Sequence, residues 1–412
     1  MFTSMRSLLG ALGRTMNLIN ADIQRHHEQT AYIAYQTACA MGLGQDALFY
    51  TINAALTHEI GCVVVNHAQK VRETGEGRRR IAQVGAYMLR EMEEFQTVAS
   101  IIEISQDRFS DCLTMDVDSG ILDIAQSIHL ADFVSTALRK DVPVLNQVKG
   151  IVESVARLRG AEFSPKAVDA FLTISSRECM WLDAALNPAF LMNFTGSIRE
   201  VSLDRIVIFT RFMSRIIDFR SPFTAMHSAG VAATARELAR LSGMSREEIQ
   251  MIVVAGNLHD VGKLRVPNAI LEKQNRLTAE EFNIVKEHAY YTRMILQDVE
   301  GFEKIADWAA FHHEKLNGNG YPFHLNGEKL DTGARILAVA DIFAAITEVR
   351  PYRIGMDRKQ AMAVLEEAVS KGEICGQIVG LLKEHYDEVD EIRERESRIV
   401  GRRYYQSLEI VK

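Results

Sequence analysis

The feature that most limits what this chain can fold into is a repeat within it. His26 is followed by Thr30-Ala-Tyr-Ile-Ala and His227 by Val231-Ala-Ala-Thr-Ala, while His58-Glu59-Ile60-Gly61 matches His259-Asp260-Val261-Gly262. The step from the first histidine to the second is 32 residues in both copies. Leu130-Ala131-Asp132 resembles Val339-Ala340-Asp341, and Ile81 to Leu89, with Gly85, resembles His288 to Leu296. Four collinear matches mark a duplication, so one architecture should occur twice. The reading divides the chain into a segment at 1–20, a first domain at 21–190, a connector at 191–219 and a second domain at 220–412, its compact part ending near 395.

Within each copy the apolar spacing is helical. Val231, Thr234, Ala235, Leu238, Ala239 and Leu241 follow the i, i+3, i+4, i+7 pattern of an amphipathic helix. Capping boxes open further segments at Ser245 with Glu248, Thr278 with Glu281 and, as an analogue, Asp357 with Gln360. Ser164-Pro165 predicts the start of a helix over 166–174. The stretch 201–219 has apolar residues at helical spacing, and 391–403 reads as a charged helix with a solvated face. Only 7 prolines interrupt the chain and strand signals are nearly absent. The predicted fold class is all-α, with two tandem helical domains joined by a helical connector.

Charge narrows the partners. A formal net charge of −7 argues against a nucleic-acid polymer, which needs a basic face, but leaves room for a small anion in a local pocket. The cysteines Cys39, Cys62, Cys112, Cys179 and Cys375 form no close pair, which excludes a disulfide framework and points to reduced cytosolic thiols. Arg6 and Arg14 interrupt the apolar N-terminal stretch, so no secretory signal is expected. No uncharged apolar run reaches the roughly 18 residues needed to span a bilayer. The expected location is the cytoplasm, without membrane attachment, and the protein partner left open is a second copy, bound through the first domain or the connector.

The second domain carries the chemistry: His227, the pair His259-Asp260, His288, the pair His312-His313, and Asp341. Imidazole with carboxylate suits divalent iron, manganese or zinc, and the absence of cysteine donors argues against a structural zinc site. An adjacent His-Asp pair lets one carboxylate bridge two ions while its neighbour caps one. Seven donors exceed what one ion needs, so a two-metal centre is expected. Any of these histidines alone would read as ordinary, as His67, His324 and His385 do; their order sets them apart.

That order carries a resemblance. Asn257-Leu-His-Asp-Val-Gly-Lys263 resembles the signature of the HD phosphohydrolase superfamily. His312-His-Glu-Lys-Leu-Asn-Gly-Asn-Gly-Tyr-Pro322 resembles HHExxDGxGYP, which distinguishes the HD-GYP subfamily, and Ile336 to Phe343 and Arg350-Pro-Tyr-Arg353 resemble its last two blocks. The resemblance covers residues 220–390; the first domain resembles the superfamily weakly. It implies a helical bundle whose two or three metal ions hydrolyse cyclic di-GMP or a mixed cyclic GMP–AMP to a linear dinucleotide or mononucleotides. His227, His259, Asp260 and Asp341 would hold one ion, and Asp260 would bridge to a second held by His288, His312 and His313. The resemblance makes Asp260 and Lys263 the catalytic residues and iron or manganese the metal. Lys263 and Arg353 would face the substrate phosphate, Arg350 would also bind substrate, and Gly318, Gly320, Tyr321 and Pro322 would shape the nucleotide pocket.

Elementary chemistry agrees with that picture. Two divalent ions about 3.5–4 Å apart neutralise phosphodiester oxygens during in-line attack. Lys263, one turn past the His-Asp pair, brings a compact positive charge to a phosphate accumulating negative charge. Tyr321 offers a base a ring face or a hydroxyl. Alone, Gly-Asn-Gly-Tyr-Pro would read as a surface turn; the His-His before it changes that reading.

Several positions depart from the pattern. Phe223 stands where many relatives carry a glutamate tied to a third ion, so two ions are expected. Asn317 replaces a frequent aspartate, as does Ala344. The first domain keeps His26, His58, Glu59 and Asp132, but has Cys62 in place of Lys263 and Ile81 in place of His288. A structural, dimerising or sensing role is expected there. Two other functions stay open for the whole chain: a catalytically weak cyclic-dinucleotide sensor, or a different metal-dependent nucleotide phosphohydrolase.

Overall fold

The computed structural model describes residues 2–19, 26–63, 74–90, 92–186, 200–218, 222–271, 273, 275–348 and 355–411. Among them, helices and short 3-10 turns account for all regular structure except one two-stranded sheet. Strand β1 (Phe2–Ser4) pairs antiparallel with β2 (Glu200–Ser202), Phe2 opposite Ser202 and Ser4 opposite Glu200. Helix α1 spans Met5–Ile19. Contacts divide the chain into two compact units, one of Leu12–Arg199 and one of Met1–Ala11 with Glu200–Lys412.

In the unit Leu12–Arg199, α2 (His26–Ala40) packs against α3 (Gln45–Thr57), and α4 (Gly75–Leu89) against α5 (Gln96–Ile104). Helix α6 (Ser119–Ala137) lies on α2 and is followed by α7 (Val144–Arg157), α8 (Pro165–Ser175) and α9 (Glu178–Leu186). The expected start of α8 is present: the Ser164 hydroxyl accepts from Ala167 N at 3.1 Å, with Pro165 in the first turn. Trp181 is fully buried, meets Phe171 edge-on at 5.9 Å and donates its indole N–H to Ser175 O at 2.9 Å. Truncating so large a core ring typically costs about 3–5 kcal/mol.

In the other unit, α10 (Leu203–Asp218) packs on α11 (Pro222–Leu241) and α12 (Arg246–Leu258). Residues 200–218, within the helical connector expected at 191–219, are grouped with this unit. Ile206, Phe209, Phe212, Met213 and Ile216 fall on one helical face and are all buried, which draws α10 into this unit. This unit takes in the chain from Glu200 onward together with residues 1–11, part of the segment expected at 1–20, which join it through β1. Helix α13 (Ala279–Leu296) packs against the 3-10 turn Val261–Arg265 and α14 (Glu303–Ala310). Helix α15 (Thr332–Thr347) lies on α11, followed by α16 (Arg358–Ser370), α17 (Gly376–Glu384) and α18 (Tyr386–Val411). The three expected capping boxes are all formed. The charged stretch of α18 has a packed side as well as a wet one, since Arg393 is buried, pairs with Asp390 at 2.6 Å and lies over Phe343.

The repeat is visible in space. In each unit a histidine (His26 or His227) sits on one helix (α2 or α11), and the next helix (α3 or α12) is capped at its C-terminus by His58 or His259. A third helix (α6 or α15) brings Asp132 or Asp341 to the first histidine at 3.0 Å in both cases. The fold class is all-α, as expected.

Candidate metal centre

Helix α12 stops where the chemistry begins. His259 still has helical backbone angles, Asp260 leaves them (φ −100°, ψ 7°), and the chain tightens into the turn Val261–Arg265. A Cβ on Gly262 would lie 1.9 Å from His288 O, so the turn and α13 meet backbone to backbone and only glycine fits. Thr292 fastens this contact, its hydroxyl donating to His259 O at 2.9 Å and accepting from Gly262 N at 3.1 Å.

All seven expected donors converge here. His227 Nε2 is 3.0 Å from Asp341 Oδ1, and His259 Nε2 is 3.3 Å from Asp260 Oδ2 and 3.8 Å from Asp341 Oδ1. Asp260 Oδ1 is 3.5 Å from His288 Nε2 and 4.0 Å from His312 Nε2, while His313 Nδ1 is 3.8 Å from Asp341 Oδ2. Three overlapping groups (His227, His259, Asp341; His259, Asp260, His312; His288, His312, His313) each keep their donor atoms within 4.8 Å of one another.

Second contacts set the tautomers. Nδ1 of His259, His288 and His312 points at the carbonyls of Gly256, Val285 and Ala309, at 2.7, 2.5 and 2.6 Å. A carbonyl only accepts, so each Nδ1 carries a proton and each Nε2 is the nitrogen turned toward the other donors. Burial pushes His288 down to about 3 and His313 down to about 4, and holds His312 well below the usual imidazole range. Burial would raise Asp260, but His259 and Lys263 outweigh it and keep the carboxylate ionised. Asp341 is likewise ionised, burial being outweighed by His227 and His313. For His227, burial is outweighed by Asp341 and Glu348, which lift it to about 9. His259 Nε2 and Asp260 Oδ1 are buried without a hydrogen-bond partner. Such atoms cost about 1–3 kcal/mol each when nothing satisfies them, and divalent cations would satisfy both. The donor set fits a pair of ions.

The rim follows from the next motif. Lys263 Nζ reaches Asp260 Oδ2 at 2.5 Å. Buried Glu314 accepts from Phe323 N and Leu325 N, both at 2.8 Å, and so ties down the loop carrying Gly318 to Pro322. Gly318 has φ +78°, and a Cβ on Gly320 would lie 2.4 Å from Glu314 Cα. A cis peptide bond joins Tyr321 to Pro322, and the Tyr321 ring lies 4.8 Å from His313 and 5.9 Å from Phe282. Asn317 accepts from Asn319 N at 3.0 Å and donates to Lys371 O at 3.1 Å, so it braces the loop. Arg350 and Arg353 lie outside the described residues, as does the side chain of Phe223.

Three contributors were not anticipated: Thr292, Glu314 in its bracing role, and Glu348, whose Oε2 is 3.6 Å from His227 Nδ1. Glu348 falls seven residues after Asp341, two helical turns on the same face, which is the one sequence signal that could have found it.

Comparison with known proteins adds an independent line. One family model for the HD domain matches residues 211–374, and a second HD-domain model matches residues 23–134. The 3′3′-cGAMP-specific phosphodiesterase 1 of Vibrio cholerae is 25% identical over 393 residues, covering 92% of this chain and 91% of that protein. The 3′3′-cGAMP-specific phosphodiesterase 3 of the same bacterium is 36% identical over 227 residues, covering 54% of this chain and 49% of that protein. The crystal structure of a V. cholerae cyclic GMP-AMP-specific phosphodiesterase, V-cGAP3, matches with a TM-score of 0.67 at 21% identity. That match covers 94% of this chain and 98% of the other, and it shows a shared fold.

Proposed function

Because the chain belongs to the HD-domain proteins and carries two such domains, we propose that its second unit is a metal-dependent phosphodiesterase acting on a cyclic dinucleotide. A mixed cyclic GMP–AMP is the substrate put first and cyclic di-GMP the alternative, since a relative named for the former aligns along nearly the whole chain. The observation that carries the reading is the gathering of seven buried or half-buried His and Asp donors, Asp260 among them.

His227, His259, Asp260 and Asp341 would hold one ion, and Asp260, His288, His312 and His313 the other. When bound, the ions supply Lewis acidity and neutralise charge on the phosphodiester. The residues do the rest. His288, His312 and His313, held neutral by burial, offer lone pairs without first losing a proton, whereas His227 would give one up to the ion. The carbonyls of Gly256, Val285 and Ala309 hold the rings of His259, His288 and His312 in register. Asp260 spans both donor sets and fixes their separation. Lys263 keeps its ammonium beside Asp260, where a phosphate in the pocket meets it as negative charge grows. Tyr321 and Phe282 present ring faces at the rim for stacking a base.

The test is hydrolysis of mixed cyclic GMP–AMP and cyclic di-GMP by the full chain, assayed reduced with iron or manganese, with Asp260→Ala alongside. Turnover lost together with the metal in Asp260→Ala is the expected result. Wild-type protein that is metal-loaded and cleaves neither substrate would refute the proposal, and tight binding without turnover would favour the sensor reading.

A further inference from the structure

We infer that the unit Leu12–Arg199 is a second, non-hydrolytic ligand site: His26, His58, Glu59 and Asp132 hold a single divalent ion whose open positions take the phosphate of a nucleotide-sized ligand. The donors repeat the other centre's first half. Nε2 of His26 and of His58 lie 3.0 and 3.5 Å from Asp132 Oδ1, and both nitrogens are buried without a hydrogen-bond partner. His58 Nδ1 points at Ala55 O at 2.7 Å, which turns its Nε2 toward the other donors, as in His259. His26, His58 and Glu59 bring donor atoms within 4.8 Å of one another, the only such group in this unit among the described residues.

The second half of a dinuclear centre is filled by other groups. Asp132 Oδ2 accepts from Gln106 at 2.9 Å, and Glu59 Oε2 faces His27 Nε2 at 3.3 Å. Ile81 is buried at the place of His288, and Cys62 replaces the lysine. One ion fits; the cation that would stabilise a cleaving transition state is missing.

Beside these donors lies a cavity of about 1280 Å³, lined by His26, Glu59 and Asp132 themselves. It exceeds the roughly 300–1,000 Å³ typical of small-molecule pockets. Its wall carries three permanent cations (Arg78, Arg139, Lys140) and four carboxylates (Glu59, Asp132, Asp141, Glu162). Without an ion the wall has an acidic excess of one; a divalent ion turns this into a basic excess of one. Anion binding should therefore require the metal. Phe133 on the same wall gives a nucleobase a ring face.

The experiment uses the full-length chain with His259→Ala and Asp260→Ala, so that failure of the other centre's function does not bear on it. The protein is loaded with manganese, desalted, counted by elemental analysis and read by electron paramagnetic resonance. One ion with the six-line spectrum of isolated manganese is expected in this unit. Adding His58→Ala, or the isosteric Glu59→Gln as a variant safer for folding, should remove one ion and weaken manganese binding by more than about tenfold. GMP should perturb the spectrum and bind the manganese form at least about tenfold more tightly than the metal-free form. A metal count unchanged by both additions, or no ion retained at all, overturns the metal site. GMP that fails to bind, or binds equally with and without manganese, overturns the assignment of its ligand.

Discussion

Replacing Gly262 by alanine tests whether one backbone contact sets the geometry of the metal centre. The new methyl carbon would start 1.9 Å from His288 O, 2.8 Å from His288 C and 2.9 Å from Thr292 N. These are main-chain atoms inside a helix, so no side-chain rotation relieves the clash. Contacts of this kind essentially never fall below 3.0 Å, so the turn and α13 must separate by about 1.1 Å. Metal-ligand distances tolerate about 0.2 Å. His288, whose carbonyl takes the clash, is proposed to hold the ion on the far side of Asp260, so that ion should be lost first. Misplacement by about 1 Å costs on the order of 10²-fold in rate, and overpacking a rigid contact costs about 1–3 kcal/mol. The assay is elemental analysis, kcat for the cyclic dinucleotide and urea unfolding, run beside Gly61→Ala. The methyl of Gly61→Ala would start 2.1 Å from Ile81 O and 2.9 Å from Gly85 N, the equivalent clash in the other unit. Both variants should lose similar stability, but only Gly262→Ala should lose metal from the seven-donor centre. Gly262→Ala retaining both ions and near-normal kcat would refute the reasoning.

Further outcomes follow from neighbouring contacts. Lys263→Ala should keep the metal count and lower kcat by about 10²–10³, the usual loss of one preorganised charge contact; loss of metal instead would make the lysine a structural partner of Asp260. Glu314→Ala strands the half-buried N–H groups of Phe323 and Leu325, so a stability loss of about 1 kcal/mol and a raised KM are expected, read by urea unfolding and steady-state kinetics. Thr292→Val removes both hydrogen bonds that fasten the His259 turn to α13 and should weaken manganese retention after desalting, while Thr292→Ser should restore it.

How much of this was legible beforehand depends on the range of the interaction. The duplication, the helices and the seven donors show in short patterns, because capping boxes and histidine-aspartate pairs act within a few residues. Ser164, Ser245 and Thr278 cap as expected for that reason. Membership of α10 in the second unit was harder to read, since an apolar helical face says that it packs but not against what. The role of Glu314 depends on amides nine and eleven residues away, held there by a loop with no periodicity. Thr292 is a common helix residue until the close approach of Gly262 puts a turn beside it.

The pairing of β1 with β2 means that residues 12–199 are inserted within the other unit rather than placed ahead of it. No single cut in the chain separates the two. A fragment beginning at residue 200 would carry every donor from His227 to Asp341, yet β2 would be left as an open edge, with Val201 no longer opposite Thr3. Such edges invite pairing with a second copy. An excised second unit should therefore keep residues 1–11, rejoined to residue 200 by a short linker.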